Sequence, residues 1–171
     1  MFMRLVKKNS YYHGAGQICV LLFLLSVLPV WGEGRSEGPR AIGAAWVYEL
    51  EGEFEDVRDN LVDAIESEGM VISYISHAQA MLSRTAPTIE NPANVYRDAE
   101  VVLFCKADLA HMLIAAGPHN LVLCPYAVAV YTLREESKRV YIAIRKPDPD
   151  VPEFDQVHRL LLGLIATTRE G

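Results

Sequence analysis

The residues with the clearest chemical potential are two cysteines, Cys105 and Cys124, which stand at the ends of two apolar segments. A short helix is predicted between these segments, so the two strand ends can approach within the few ångströms that a disulfide requires. Closing a loop of this size stabilises a chain by about 3 kcal/mol in the entropy model. As thiolates, the same pair would bind a soft metal or haem iron, or exchange disulfides. Two buried free thiols are the third interpretation, and the residues alone leave all three open.

A histidine and a methionine form the second candidate set. His77 and Met81 are four residues apart and share one face if 76–85 is helical. Imidazole and thioether together ligate copper or take the axial positions of haem iron, and His111 beside Met112 repeats the pair. Haem or copper is therefore the candidate cofactor, with His77, His111, Cys105 and Cys124 as predicted metal ligands. The alternative is that His77 caps a helix or meets a carboxylate while Met81 fills the core.

Arginine and tyrosine side chains supply candidates for holding a small ligand. Arg84 and Arg145 can bind a carboxylate or phosphate through forked hydrogen bonds, although surface or capping salt bridges are the commoner role. Tyr126, Tyr131 and Tyr141 lie on predicted strands, where they line a pocket or pack across strands. The predicted ligand-binding residues are His77, Met81, Arg84 and Tyr126.

No pattern in the chain indicates a catalytic centre. The sequence has no Ser/His/Asp elbow, no glycine-rich phosphate loop and no HExxH zinc motif. The acidic residues of the first predicted helix are typical of a solvated face rather than of a catalytic pair: Asp56, Asp59, Asp63 and Glu66. The sequence therefore favours a binding protein over an enzyme.

The first 32 residues have the pattern of a secretory signal. Arg4, Lys7 and Lys8 precede an uncharged apolar run over residues 18–31, which Gly32 follows. This run is short for a transmembrane helix, which needs about twenty residues. The bulky residue before Gly32 makes a poor cleavage site, so an uncleaved membrane anchor is the alternative. We expect an exported, periplasmic protein.

Charge and cysteine count agree with export. Without residues 1–32 the chain keeps 13 basic and 22 acidic side chains, a formal charge of −9. Nucleic acid and anionic lipid need clustered basic charge, so both are disfavoured as partners. Cys105 and Cys124 are the cysteines that remain after this removal. An even number of cysteines in an oxidising compartment is typical of disulfide pairing, here of one bridge.

The elements that must position these residues form one domain. A chain of 171 residues with 51% apolar side chains is long enough for one core. The composition of residues 33–43 is typical of a flexible leader. Residues 44–168 are predicted to form the domain. Hydrophobic periodicity predicts strands at 44–50, 70–75, 100–105, 125–131 and 140–144, and helices at 54–65, 76–85, 107–115 and from residue 152. This order predicts an α+β fold with helices on one face of a mainly antiparallel sheet.

Three short stretches in a fixed order carry a family resemblance. They are Ser76-His77 with residues 81–85, Phe104-Cys105, and Cys124-Pro125-Tyr126 leading into Val130-Tyr131. Together they resemble the family called domain of unknown function 302, over residues 48–146. The resemblance implies a saddle-type sheet in β-α-β-β-β-β-α order, similar in shape to the TATA-binding protein. It also implies a homodimer and a place beside redox or sulfur metabolism.

These observations support three hypotheses about function. The first is an exported small binding protein that holds a ligand, with metal or haem among the candidates, on a concave sheet face or in a helix–sheet crevice. The second is a redox enzyme that uses Cys105 or Cys124 as a thiolate and acts on a redox partner protein. The third is a structural module that dimerises through its sheet without a ligand.

Overall fold

A six-stranded antiparallel sheet and four α-helices make up the computed structural model, which describes residues 38–136 and 138–171. The elements in chain order are β1 (Arg40–Ile42), β2 (Ala45–Glu51), α1 (Phe54–Ser67), β3 (Val71–Ser76), α2 (Ala78–Thr85), β4 (Tyr96–Cys105), α3 (Ala107–Ala116), β5 (Tyr126–Leu133), β6 (Arg139–Arg145) and α4 (Phe154–Glu170). Two 3₁₀ helices, Ala86–Thr88 and Pro118–Leu123, lie in the connections. The strand order is β1-β2-β6-β5-β4-β3. The predicted α+β class is confirmed, and the order of elements matches approximately.

One face of the sheet carries the core. Side chains alternate between the faces of a strand, and the buried side chains of the central strands lie on the face that α1 and α4 cover: Val102, Phe104, Val128, Val130, Val140, Ile142 and Ile144. The apolar stripe of α1 is buried against it, with Leu61 and Ile65 fully enclosed. On α4, Val157 and Leu161 do the same. Helical periodicity in the sequence therefore located both helices that close the core.

Aromatic residues occupy part of the opposite face. Tyr131 and Tyr141 are cross-strand partners, and their rings stack with centroids 5.3 Å apart. The ring of Tyr96 meets that of Tyr131 edge-on at 5.4 Å. The Tyr141 hydroxyl donates a hydrogen bond to the Glu136 carboxylate. Tyr131 and Tyr141 therefore pack across strands, which is one of the two roles that the sequence left open for them.

Two strands extend beyond the predicted segments. β4 begins at Tyr96 rather than at residue 100, because pairing with β5 carries the strand through polar residues. The Asp98 carboxylate accepts a hydrogen bond from Thr132 Oγ1 at 2.8 Å, and the Asp98 N–H donates to that hydroxyl at 3.2 Å. β1 lies within the predicted leader, where it pairs with β2 and Arg40 contacts Glu49 at 3.0 Å. Pairing with a neighbouring strand stabilises the start of β4 and the whole of β1, whose hydrophobic patterns alone did not predict a strand.

The predicted signal at residues 1–32 and leader residues 33–37 lie outside the described residues. Within residues 38–136 and 138–171, no helix is long and apolar enough to cross a membrane.

His158 on α4 is a titratable group inside the core. Its side chain is 6% exposed, and its ring meets that of Trp46 edge-on at a centroid distance of 4.5 Å. Neither ring nitrogen has a hydrogen-bond partner within the described part of the chain. Burial lowers the pKa of His158, and the charge of Asp155 opposes that change in part. The folded protein therefore favours the neutral imidazole.

This burial predicts acid sensitivity. The unfolded chain binds a proton at the imidazole near pH 6.5, whereas the folded protein binds it only at lower pH. The contribution of the neutral imidazole to the free energy of unfolding is complete above about pH 6.5. As the pH falls below that value, the free energy of unfolding decreases by at most about 1.4 kcal/mol per pH unit. Chemical denaturation between pH 4.5 and 8 should show this slope, and His158→Phe should reduce it. His111→Gln, on the exposed surface of α3, is the matched control. An unchanged slope in His158→Phe would contradict the assignment.

Candidate functional site

A crevice of about 120 Å³ lies between the start of β5, the 3₁₀ helix Pro118–Leu123 and α4. Its apolar lining comes from Leu123 and Pro125 on one side and from Val151, Phe154 and Leu161 on the other. Phe154 and Leu161 are seven residues apart, so they lie on the same face of α4. The crevice is a helix–sheet cleft that is smaller than the pockets of about 300–1,000 Å³ that hold drug-sized ligands.

Tyr126, which lines the crevice, carries a buried hydroxyl without a hydrogen-bond partner among the described residues. The residue is 2% exposed, and its hydroxyl makes no hydrogen bond within the described residues. Its ring is fixed by edge-on contacts with Phe104 at 6.0 Å and Phe154 at 6.3 Å. Burial raises the pKa of Tyr126, and the charge of Asp108 raises it further, so the hydroxyl is protonated at neutral pH. A buried polar group without a partner costs about 1–3 kcal/mol, which a bound hydrogen-bonding group would offset.

The charged residues around the crevice are engaged elsewhere. The Lys146 ammonium donates to the Gly43 carbonyl at 2.6 Å. The Asp148 carboxylate accepts from the Asp150 N–H at 3.0 Å. Arg145 lines the crevice, but strand alternation places its side chain on the sheet face opposite Tyr126. Among the described residues that line the crevice, Tyr126 has a buried hydroxyl without a hydrogen-bond partner.

A disulfide joins Cys105 to Cys124, with their Cα atoms 6.2 Å apart. Cys105 is the last residue of β4, and Cys124 lies between the crevice residues Leu123 and Pro125. Both cysteines are half-buried. Of the three interpretations of this pair, the structure has the bridged one, in which neither sulfur is available as a metal ligand. The bridge also ties one wall of the crevice to the end of β4.

A second polar cluster surrounds Glu100 on β4. Its Oε1 lies 2.7 Å from His77 Nδ1 and its Oε2 lies 3.6 Å from Arg58 Nη1. The Glu100 side chain is 13% exposed, whereas that of His77 is 64% exposed and borders a depression of about 160 Å³. His77 directly precedes α2, at its N-cap, without a capping side-chain hydrogen bond. A carboxylate partner for His77 was therefore the better of the two sequence interpretations.

The structure does not assemble the predicted metal site. His77 pairs with Glu100, His111 is exposed on α3, and the cysteines are bridged. The described residues contain no group of three or more His, Cys, Asp or Glu side chains that could hold a metal ion. The fold therefore does not bring the predicted ligand side chains together as metal ligation would require.

The four predicted ligand-binding residues are also separated. Tyr126 lines the crevice, and His77 borders the depression beside α2. Met81 is 44% exposed on α2, so the interpretation that it fills the core was wrong, because the exposed side of this short helix carries it. Arg84 is exposed on the same helix, on a different element from Arg145. One of the four, Tyr126, lies in the crevice.

Two residues of these sites were missed by the sequence analysis. Glu100 is 23 residues from His77, and no local spacing links them. Phe154 appeared in the sequence as one more apolar position of a helix. Its periodicity could indicate burial, but not which cavity it borders.

The disulfide predicts equal effects of two substitutions. Cys105→Ala and Cys124→Ala each remove the same constraint on the unfolded chain, so each should lower the free energy of unfolding by about 2 to 4 kcal/mol. The double variant should lose no more than either single variant, since the two residues act as one unit. Urea unfolding measures the three values, with reduced wild-type protein as the control. Alkylation of both residues in denatured, unreduced protein would contradict the bridge.

Comparison with known proteins identifies the family to which this chain belongs. No curated protein matches the chain. A crystal structure described as an uncharacterized conserved protein DUF302 from Bacillus stearothermophilus is similar, with a TM-score of 0.62 at 12% identity, over 75% of this chain and 100% of that one. At this identity the likeness shows the fold alone. Residues 46–166 match the family model described as "Domain of unknown function DUF302". The match covers most of the chain and confirms the resemblance, so this protein belongs to the family of domain of unknown function 302.

Proposed function

We propose that this protein is an exported binding protein that holds a small, mostly apolar molecule with one hydrogen-bonding group in the crevice beside Tyr126. The observation that carries the proposal is the buried Tyr126 hydroxyl, which has no hydrogen-bond partner among the described residues and belongs to a residue of a mostly apolar cleft. Polar groups in protein interiors are nearly always hydrogen-bonded, so an unpaired one beside a cavity marks a place for a partner.

Size and lining narrow the class of ligand. A dry apolar cavity of about 150 Å³ accepts a molecule the size of benzene, and the crevice measures about 120 Å³. Its walls carry aliphatic and aromatic side chains beside Arg145, Lys146 and Asp148, and apolar contact supplies the main part of the proposed binding energy. The phenol hydroxyl both donates and accepts. The proposed ligand is therefore a single ring or a short chain that carries one hydroxyl, carbonyl or similar head.

Binding of fluorinated probes tests this proposal. ¹⁹F NMR titration should detect 4-fluorophenol binding more tightly than fluorobenzene, which has no hydroxyl. Tyr126→Phe should remove that preference, a change of about 2- to 12-fold at 0.5–1.5 kcal/mol per hydrogen bond. Tyr74→Phe, with its exposed ring on β3, is the matched control. Val151→Trp should block both probes by filling the crevice, and equal binding of both probes to wild type and Val151→Trp would contradict the proposal.

Export rests on the basic and apolar pattern of the N-terminal segment, as argued from the sequence. Intact-mass measurement of secreted or periplasmic protein should show a chain that lacks residues 1 to about 32. Full-length mass confined to the membrane fraction would instead indicate an anchored protein.

We further propose that the chain forms a homodimer through β3, an edge strand of the sheet. Edge strands usually carry charged residues or proline that prevent pairing, but β3 has neither in its sequence VISYIS. Val71 and Tyr74 on this strand are 78% and 62% exposed. The other edge, β1, has three residues and an Arg40–Glu49 ion pair. Antiparallel pairing of β3 with a second β3 closes a twofold dimer and needs no contribution from β1.

Sedimentation tests this dimer. Wild-type protein should sediment with twice the mass of one chain, and the double variant Val71→Lys/Tyr74→Lys should sediment as a monomer, because lysine opposes edge pairing. Ile89→Lys/Ile114→Lys, which alters exposed apolar residues away from β3, should stay dimeric. A single wild-type species at or below the 19.1 kDa chain mass, at high micromolar concentration, would contradict the proposal.

A further inference from the structure

The disulfide and the crevice share one segment of chain. Leu123 and Pro125, which flank Cys124, both line the crevice, and Tyr126 follows directly. Through Cys105, the bridge fixes this segment to the end of β4 in the sheet. The position of one crevice wall therefore depends on a covalent bond that a thiol can open.

We propose that Cys105–Cys124 is a thiol-exchange site whose reduction by a dithiol loosens the crevice wall and weakens ligand binding. The inference rests on the proposed function, because it assigns a regulation to the same crevice. It needs no metal and no further residue beyond the two cysteines and the segment between them.

The exchange balances with a dithiol as the reductant. One thiolate of the dithiol attacks one sulfur of the bridge, so a mixed disulfide forms and the other cysteine leaves as a thiolate. The second thiol of the dithiol then attacks the mixed disulfide and releases the remaining cysteine. The dithiol becomes a disulfide, and its two protons end on Cys105 and Cys124.

Access to the bridge comes from its exposed surroundings. Both cysteines are half-buried rather than enclosed. Leu121 and Val122, which precede Cys124 in the chain, are 61% and 82% exposed. The bridge therefore lies next to an exposed segment and outside the fully buried core, which is where a reductant would approach it.

The other contacts of this wall are weaker than the bridge. In the 3₁₀ helix Pro118–Leu123, the Asn120 side-chain amide donates to the Leu113 carbonyl of α3 at 3.0 Å. The Cys124 N–H donates to the Leu121 carbonyl at 3.1 Å, a bond within the segment itself. These bonds attach the wall to α3, whose Leu113 is buried in the core, and Leu123 of the wall packs against the core as well. Once the bridge opens, noncovalent contacts and the chain itself hold residues 121–124, so this segment gains freedom while α3 stays packed.

The test compares oxidised and reduced full-length protein by two measurements. ¹⁹F NMR should show that dithiothreitol weakens 4-fluorophenol binding by about tenfold, within the range usual for coupling between sites. Hydrogen exchange should accelerate more at the amides of residues 121–124 than at Val128 and Val130 in β5, whose protection falls only by the loss of global stability expected without the bridge. The double variant Cys105→Ser/Cys124→Ser should reproduce the reduced protein and should not respond to dithiothreitol.

Each other outcome has a defined meaning. Equal affinity of oxidised and reduced protein would overturn the inference while leaving the proposed function intact. Absence of probe binding in both states would overturn the proposed function, and a larger acceleration at residues 121–124 than in β5 would then still show that the bridge controls the wall. An equal acceleration at residues 121–124 and throughout β5 and β6 would identify the bridge as a structural staple and overturn the inference.

Discussion

Burial of one sheet face beneath α1 and α4 is the constraint on which the other features depend. The central strands supply an apolar surface in which Val102, Val128 and Ile142 are fully enclosed, and at about 25 cal/mol per Å² such burial is the main favourable term in folding. The helices need this surface as much as the strands need the helices, because each buries a single apolar side. This packing fixes α4 over the sheet, and it thereby sets the width of the crevice between α4 and β5.

The crevice forms where that packing ends. At the start of β5 the chain leaves the 3₁₀ helix, passes Cys124 and enters the sheet at Tyr126. Phe154 from the first turn of α4 meets the Tyr126 ring, but the Tyr126 hydroxyl has no hydrogen-bond partner within the described chain. An apolar ring at this corner would avoid the cost of a buried, unpaired hydroxyl.

Glu100 and His158 are both largely buried polar side chains, but they differ in the partners that compensate their burial. Glu100 is largely buried and holds one charged and one imidazole partner, as a carboxylate in that position requires. His158 is buried with no hydrogen-bond partner among the described residues and is accommodated by remaining neutral beside Trp46. The Glu100 carboxylate is balanced by the Arg58 ion pair and the His77 hydrogen bond, although its Oε2 has no hydrogen-bond partner among the described residues, whereas His158 makes the stability of the core depend on pH. Neither cluster gathers the donors that a metal ion would need.

The sequence by itself determined the fold class, the family, the two core helices and most of the strands, because periodicity reports burial directly and the periods of helix and strand differ. It also singled out Cys105, Cys124, His77 and Tyr126. It could not determine which of these residues meet, since contacts such as His77 with Glu100 join positions far apart in the chain, and local patterns carry no information about them. Tertiary structure alone separated His77 from Tyr126, extended β4 through its polar start at Tyr96, and buried the Tyr126 hydroxyl without a hydrogen-bond partner among residues 38–136 and 138–171. The physical reason is that packing of α4 against the sheet, and not the local sequence, decides which side chains border the same cavity.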